Sequence, residues 1–338
     1  MNNKQAIRIP KSSVVQAGNS LGIKPNRLAN YLGLEESKEI RKLEKNWEQI
    51  LPVLLEPLNF SGLIIQFEDD SLLLTNVLSN EEITAFCGSD SDDLVVLPME
   101  SMEMVNHLAS YLGDTSESKR IKQELPYDAL VTLLLISDSL KRKKLTNLLF
   151  PSETEFDISL DSISNEYKDS LKIKDLRWLS GIVHELSLDP KSIDFEHALS
   201  TLAKLGIIQY KNKLIDIDDN GIVLFDELSK HKSTIGIRSA FYHDGVLNYL
   251  TIMLLRTENH VWYFDLSNEA SMMTLNTEEL KGMIATMLAP GEIPPIAEKT
   301  SNAKSVANQN TNIPRFCRNC GASLSEGAMF CRSCGKKV

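Results

Sequence analysis

The sequence has no long apolar run and little glycine or proline. Its longest apolar stretches, 129–136 and 250–255, are far shorter than the roughly 18 to 20 residues that span a bilayer. The first residues, MNNKQAIRIPKSS, lack the apolar core of a secretion signal. We therefore expect no transmembrane helix and a cytoplasmic location. With 16 glycines and 12 prolines in 338 residues, collagen-like and disordered architectures are excluded, and 42% hydrophobic content predicts a globular chain of about two or three domains.

Signatures of common enzymes are also missing. There is no P-loop, no G-x-G-x-x-G and no H-E-x-x-H, and the six histidines are scattered without ligand-like pairing. We predict from this that the protein is not an enzyme. An enzyme of unrecognised type stays open as a further class, because an active site can be assembled from residues that form no local motif.

The formal net charge of −10 is unevenly distributed. Residues 315–338 contain five basic residues and one acidic residue, a local charge of +4, so residues 1–314 carry −14. Nucleic-acid binding is built from lysines and arginines that neutralise phosphates, and so acidic a body would repel a phosphate backbone. We expect no nucleic-acid partner for the body, and any such contact would have to come from the tail.

Four of the five cysteines lie in the last 22 residues, in the pattern C-x2-C-x10-C-x2-C. Each pair can present two thiolates from one tight turn, and Gly321 and Gly335 follow where such a turn favours a left-handed backbone. Four thiolates around one point form a closed tetrahedral site typical of one structural zinc ion. Redox motifs, an iron site and a disulfide knot are the alternatives, and the spacing favours zinc. The predicted ligands are Cys317, Cys320, Cys331 and Cys334.

This tail resembles the small zinc-ribbon module found at one end of many bacterial proteins, whose form is C-x-x-C-G, about ten residues, then F-C-x-x-C-G. Phe330 occupies the position of the apolar residue that caps the site in that module. The resemblance implies a metal-stabilised tail that makes protein contacts more often than it performs chemistry. A segment this short cannot bury a core, so we expect it to be unfolded without metal.

The rest of the chain predicts an α+β body. We divide the sequence into an N-terminal segment (1–23), the body (24–287), a flexible linker (288–314) and the ribbon (315–338). Within the body, about 61–113 and 195–287 share one layout, an antiparallel meander closed by a helix, which suggests a duplication. We expect the helices predicted within 127–205 to pack between the two copies, and the helix predicted over 127–150 to be broken near Lys141.

The second copy carries a further resemblance. HALSTLAKLGII, a short hairpin through DNG, the helix LFDELSK, a strand meander and a closing helix ending in AP follow one another over residues 197–290. This order resembles the repeated half of EspG-type chaperones of type VII (ESX) secretion, although a zinc ribbon is not part of that family's usual pattern. The resemblance implies an acidic cytosolic α+β protein that keeps secreted helical pairs soluble.

Two motifs have competing interpretations. Asp216, Asp218, Asn220, Gly221 and Glu227 satisfy the pattern of an EF-hand calcium loop. The residues before them alternate like a strand and Asn-Gly is a hairpin signal, so we favour a hairpin through DNG.

Gly18, Ser20 and Gly22 match a G-x-S-x-G nucleophile elbow, but too few residues precede them for the strands that an elbow needs. We favour a turn into a helix that begins near Pro25. Cys87 is expected to be buried and unreactive.

The main functional prediction is a non-enzymatic cytoplasmic zinc-ribbon protein that acts as a protein-binding adaptor or chaperone. Its partner would be a protein, with a helical secreted substrate as the specific hypothesis. The alternative is a DNA-binding regulator, because residues 174–226 could form a winged helix. The net charge of −3 over 193–231 disfavours that alternative but leaves a winged helix free to contact protein.

Overall fold

A computed structural model describes most of the chain before the predicted linker. The described residues are 6–34, 47–80, 83–90, 92–115, 121–149, 158–173, 175–187, 192–243, 246–266, 270–288, 315–316 and 323–324. The linker prediction, except for Leu288, and all four predicted zinc ligands lie outside them. Among the described residues, no helix has the length and hydropathy of a membrane span.

The fold is α+β, as predicted. The strands are β1 (Ile7–Pro10), β2 (Asn59–Gln66), β3 (Leu72–Ser79), β4 (Thr84–Asp90), β5 (Asp93–Met99), β6 (Lys122–Glu124), β7 (Ile208–Lys211), β8 (Leu214–Ile217), β9 (Ser233–His243), β10 (Val246–Arg256), β11 (Val261–Asp265), β12 (Ser271–Leu275), β13 (Arg315–Phe316) and β14 (Ser323–Leu324). The helices are α1 (Lys11–Leu21), α2 (Leu51–Leu55), α3 (Ser101–Leu112), α4 (Tyr127–Leu149), α5 (Leu160–Lys172), α6 (Leu179–Leu186), α7 (Phe195–Lys204), α8 (Asp219–Ser229) and α9 (Thr277–Leu288). A short 3₁₀ helix spans Ala29–Leu32.

One ten-stranded antiparallel sheet organises the body, in the order β1-β5-β4-β3-β2-β9-β10-β11-β12-β6. Its two halves have the same layout: four consecutive strands, then a helix of twelve residues, α3 or α9. Thr277 at the start of α9 follows Ser101 at the start of α3 by 176 residues, and the strands repeat at similar spacing. An approximate twofold axis therefore runs perpendicular to the sheet between β2 and β9.

The two copies adjoin directly. β2 pairs with β9 along its whole length, so the halves form one continuous sheet. The prediction that the middle helices pack between the copies is therefore wrong. These helices pack on one face of the second half instead, because their apolar surfaces meet Met253, Trp262 and Phe264 of β10 and β11.

The helices cover the two faces of the sheet differently. On one face, α3 and α9 pack side by side over the apolar side chains of β2, β9 and β10. On the other face, which we call the lobe face, two separate helical groups are present. α1, α2 and the 3₁₀ helix cover the first half, and α4 to α8 cover the second half. The space between these two groups leaves part of the sheet uncovered.

Two helix predictions need correction. α4 is continuous from Tyr127 to Leu149 and is not broken near Lys141, because the segment contains no proline or glycine and the basic run only marks where the helix leaves the core. The G-x-S-x-G segment lies in α1 rather than in a turn leading to a helix. Gly18 lets α1 approach α2 closely, since an added Cβ would lie 2.1 Å from Leu55 Cδ1, and Gly22 ends the helix with φ of 77°.

Candidate protein-binding groove and the predicted zinc ribbon

A groove crosses the lobe face between the two helical groups. Its floor is one row of residues on four neighbouring strands, since Gly62 of β2 pairs with Asn76 of β3 and Arg238 of β9, and Arg238 pairs with Thr251 of β10. All four side-chain positions are partly exposed, whereas most of the residues two positions away on β2 and β9 are buried. With strands about 4.8 Å apart, the floor is roughly 14 Å from end to end.

The first wall of the groove is α6. Its residues Ile182 and Leu186 pack so closely on Gly236 that an added Cβ there would lie 2.8 Å from Leu186 Cδ1. Gly236 therefore permits the helix to lie directly on the sheet. Arg238, two residues further along β9, donates a long hydrogen bond of 3.4 Å to the Glu185 carbonyl of the same helix.

The second wall is the 3₁₀ helix of the N-terminal group. The Tyr31 ring packs on Phe60 with a centroid distance of 5.2 Å, and Tyr31 remains 50% exposed. Its hydroxyl also contacts Tyr249 across the sheet. This hydrogen bond, together with burial, raises the pKa of Tyr249 to about 12, so the Tyr249 hydroxyl stays protonated at neutral pH. The contact joins the wall to the β10 end of the floor.

Both ends of the groove are apolar. Leu74 is 60% exposed on β3, beyond the reach of α6, and Leu72 on the same face is also exposed. At the opposite end, Tyr249 of β10 is 40% exposed. The approximate twofold axis relates these ends, so the groove has a polar centre containing one arginine and an apolar patch at each end.

α6 is held in place by a buried carboxylate from α4. Asp138 is fully buried and accepts hydrogen bonds from the backbone N–H groups of Leu179 (3.1 Å) and Ser180 (2.8 Å) at the start of α6. Burial raises the pKa of Asp138 to about 6, against the lowering effect of these donors. Nearby, Arg142 packs over the Trp178 ring and forms an ion pair with Glu166. This polar cluster fixes the wall of the groove from behind.

The structure describes two short strands, β13 and β14, in the tail that contains the four cysteines. β13 and β14 pair antiparallel, with Arg315 opposite Leu324. This pairing brings together the two ends of the segment that carries Cys317 and Cys320. Four thiols in two C-x2-C pairs have the donor chemistry that tetrahedral zinc takes. That these cysteines are the ligands stays a prediction.

The EF-hand pattern does not form a calcium loop, and the hairpin that we favoured is also misplaced. The turn of the β7–β8 hairpin is at Asn212 and Lys213, both with positive φ, and not at Asn220-Gly221. The latter pair lies in the first turn of α8. Glu227 instead accepts hydrogen bonds from Trp262 and contacts His260. Among the described residues, no group of three or more potential ligands is arranged to hold a metal ion.

Other predicted features are located as follows. The order of two helices and a hairpin expected of a winged helix is present in α6, α7 and β7–β8. α7 turns Ala198, Leu199 and Leu202 inward against the core that includes α4. Cys87 is buried as predicted, and burial raises the pKa of its thiol to about 12, so it is not a nucleophile at neutral pH.

The groove residues themselves were not predicted from the sequence. A signal was present: in N-F-S-G-L-I and I-G-I-R-S-A, a glycine and an arginine interrupt apolar strands at positions that face the same side. Only the pairing of β2 with β9 shows that Gly62 and Arg238 are neighbours.

Comparison with known proteins bears on the tail and, weakly, on the body. Residues 316–338 match the family model of the zinc-ribbon domain, which implies that the tail binds zinc. A search of curated proteins finds no significant match. Among solved structures, the chain is similar to the Mycobacterium tuberculosis type VII secretion system chaperone EspG5, determined in complex with the PE25-PPE41 dimer. The TM-score is 0.40 and the identity 9%, over 84% of this chain and 96% of that chain. At this level of similarity, the comparison says nothing of what this chain binds.

Proposed function

We propose that the protein is a non-enzymatic cytoplasmic adaptor or chaperone that holds a helical segment of a partner protein in the groove. The observation that carries the proposal is the strip of partly exposed sheet between two helical walls, with exposed Leu74 and Tyr249 at its ends. Exposed leucines and tyrosines lining a concave surface are typical of protein-binding sites.

The dimensions of the groove suit a helix. A floor of roughly 14 Å accommodates about nine helical residues at 1.5 Å per residue. Apolar side chains at both ends of that segment would contact Leu74 and Tyr249, and an acidic or amide side chain near its middle would face Arg238. Capture of this kind shields the apolar surface of the partner until it is delivered. The sequence resemblance to EspG-type chaperones implies a more specific proposal, in which the partner is a helical substrate of type VII secretion.

The zinc ribbon has a second role in the proposal. One zinc ion held by Cys317, Cys320, Cys331 and Cys334 would stabilise the tail as a separate contact module. Zinc supplies structure there and no catalysis, because four protein ligands leave no open coordination position.

Filling the groove tests the proposal. An added Cβ at Gly62 lies 3.8 Å from the nearest atom, Asn76 Oδ1, so Gly62→Phe should fold and occupy the floor. Gly88→Phe is the matched control, because Gly88 has no atom within 4 Å of an added Cβ and lies on the opposite face of β4 from buried Cys87.

Each protein is used to capture partners from the native cytosol, and the bound proteins are identified by mass spectrometry. We expect wild type and Gly88→Phe to enrich the same helical proteins and Gly62→Phe to lose them at least about tenfold, which corresponds to 1.4 kcal/mol. Equal capture by Gly62→Phe would refute the groove as the site. Binding to genomic fragments in gel shifts, with no protein captured, would favour the DNA-binding alternative instead.

A further inference from the structure

A second exposed apolar surface lies at the end of the helical group, where α4 and α8 run antiparallel. Lys144 of α4 contacts Asp226 (2.9 Å) and Ser229 of α8, and Lys141, one turn earlier, lies near His231 just after the end of α8. One turn beyond Lys144, α4 therefore faces the start of α8. Five apolar side chains there are between 46% and 77% exposed. We call them, with three neighbouring aspartates, the tip patch: Leu145, Leu148, Leu149, Ile222, Val223, Asp216, Asp218 and Asp219.

The tip patch is acidic as well as apolar. Ile222 and Val223 lie three and four residues after Asp219, so the three side chains share one face of α8. Asp226 on the same helix is neutralised by Lys144 and Lys230. Within the described part of the chain, no salt bridge is formed by Asp216, Asp218 or Asp219. A partner for this surface would therefore be basic and would carry apolar side chains.

We propose that the tip patch is the docking site of the zinc ribbon of the same chain. The ribbon has the opposite charge: residues 315–338 carry +4, and a zinc ion with four thiolates adds −2, which leaves about +2. The ribbon sequence also supplies Met329 and Phe330 beside the basic Arg332. A second copy of the body is the weaker candidate, because a symmetric contact would bring the same three aspartates together.

The linker that joins the body to the ribbon favours a contact within one chain. α9 ends at Leu288, whose carbonyl oxygen accepts hydrogen bonds from Asn59 (2.7 Å) and Ser79 (2.7 Å) on the sheet. The 26 residues 289–314 have the composition of a flexible chain, for which the mean end-to-end distance is roughly 28 Å. Such a tether gives an effective concentration on the order of 1 mM. An intrinsic dissociation constant of about 1 mM is therefore enough to keep the ribbon docked half of the time.

Carbodiimide coupling tests this contact in the full-length, zinc-loaded protein. The reagent joins lysine amines to carboxylates that touch them, and mass spectrometry locates the bonds. We expect Lys336 and Lys337 to couple to the tip-patch aspartates at least about fivefold more than to exposed Asp92, Asp114 and Glu278. The excess should fall several-fold in 0.5 M NaCl, where the Debye length is about 4 Å.

Substitutions and mixtures of isotope-labelled chains show whether the tip patch binds the ribbon of its own chain. Ile222→Ser with Val223→Ser should lower coupling several-fold without changing the melting temperature, whereas Met102→Ser, an equally exposed change on α3, should leave it unaltered. Coupling spread evenly over all exposed carboxylates, or unchanged after zinc is removed, would overturn the proposal. So would coupling found only between light and heavy isotope-labelled chains, since that result identifies a second copy as the occupant.

Discussion

The buried carboxylate of Asp138 gives the sharpest prediction about stability. Because its folded pKa is about 6 and a carboxyl of an unfolded chain has a pKa of about 3.9, the folded state binds the proton more tightly. Protonation of Asp138 therefore stabilises the folded protein. The resulting gain in the free energy of unfolding grows as pH falls through 6 and is complete below about 4. By proton linkage, lowering the pH from 8 to 5.5 should stabilise the fold by about 0.8 kcal/mol through this one group.

The variant Asp138→Asn isolates the effect because it cannot titrate. The free energy of unfolding is measured by urea titration with tryptophan fluorescence at several pH values between 5.5 and 8, above the isoelectric point near 5.2. We expect the wild type to gain about 0.8 kcal/mol over the variant across this range. Glu166, whose pKa burial also raises, is present in both proteins and does not account for the difference.

Two further substitutions complete the test. Asp138→Ala leaves the two N–H groups at the start of α6 without an acceptor, and should cost about 2 to 4 kcal/mol at pH 7. Asp114→Asn, which removes a carboxylate at an exposed position, is the matched control. If the wild type gains no stability relative to Asp138→Asn as pH falls, Asp138 is not the buried, destabilised carboxylate inferred from the structure.

Three other predictions concern packing, the thiol and the metal. Gly221→Ala would place a Cβ 1.9 Å from the Ile207 carbonyl oxygen and should destabilise the protein by about 2 to 4 kcal/mol. An added Cβ at Gly282 meets nothing within 4 Å, so Gly282→Ala should stabilise α9 by about 0.5 to 1 kcal/mol. The melting temperatures of the two variants are compared with that of the wild type, and equal shifts would contradict the packing at Gly221. Cys87 should resist thiol reagents in the native protein and react in urea, so fast native labelling would contradict its burial. Chelation should remove one zinc ion per chain, counted by native mass spectrometry, and leave the urea midpoint of the body unchanged, because all four predicted ligands belong to the tail.

The sequence predicted local elements well where one face of the chain is buried. The layout predicted for about 61–113 and 195–287, a strand meander closed by a helix, is present in the structure, because alternation and helical spacing directly record which side meets a core. The pseudo-repeat was visible for the same reason. The error at 218–221 arose because Asn220-Gly221 lies in the first turn of α8, where close packing against the Ile207 carbonyl, and not a turn, requires the glycine.

What the sequence could not predict is how distant segments meet. The pairing of β2 with β9 joins residues that are far apart in the chain, and local propensity carries no information about it. The groove depends entirely on that pairing, since its floor includes Gly62 from one copy and Arg238 from the other. α1 was missed because Gly18 and Gly22 suggest a turn, whereas close packing against Leu55 is what requires Gly18.

The approximate twofold symmetry also explains why the groove exists. In both copies the last helix covers the same face of the central strands, so α3 and α9 pack over that face of β2, β9 and β10. On the lobe face, each copy covers mainly its own half, and α6 reaches only as far as Gly236 while the N-terminal group reaches only as far as Phe60. The row between them lies near the axis and is covered by neither group. A duplicated half-sheet with one helical group per copy therefore leaves an uncovered strip at its centre, and the chain has filled that strip with a glycine, two small polar residues and one arginine rather than with apolar side chains that would need further cover.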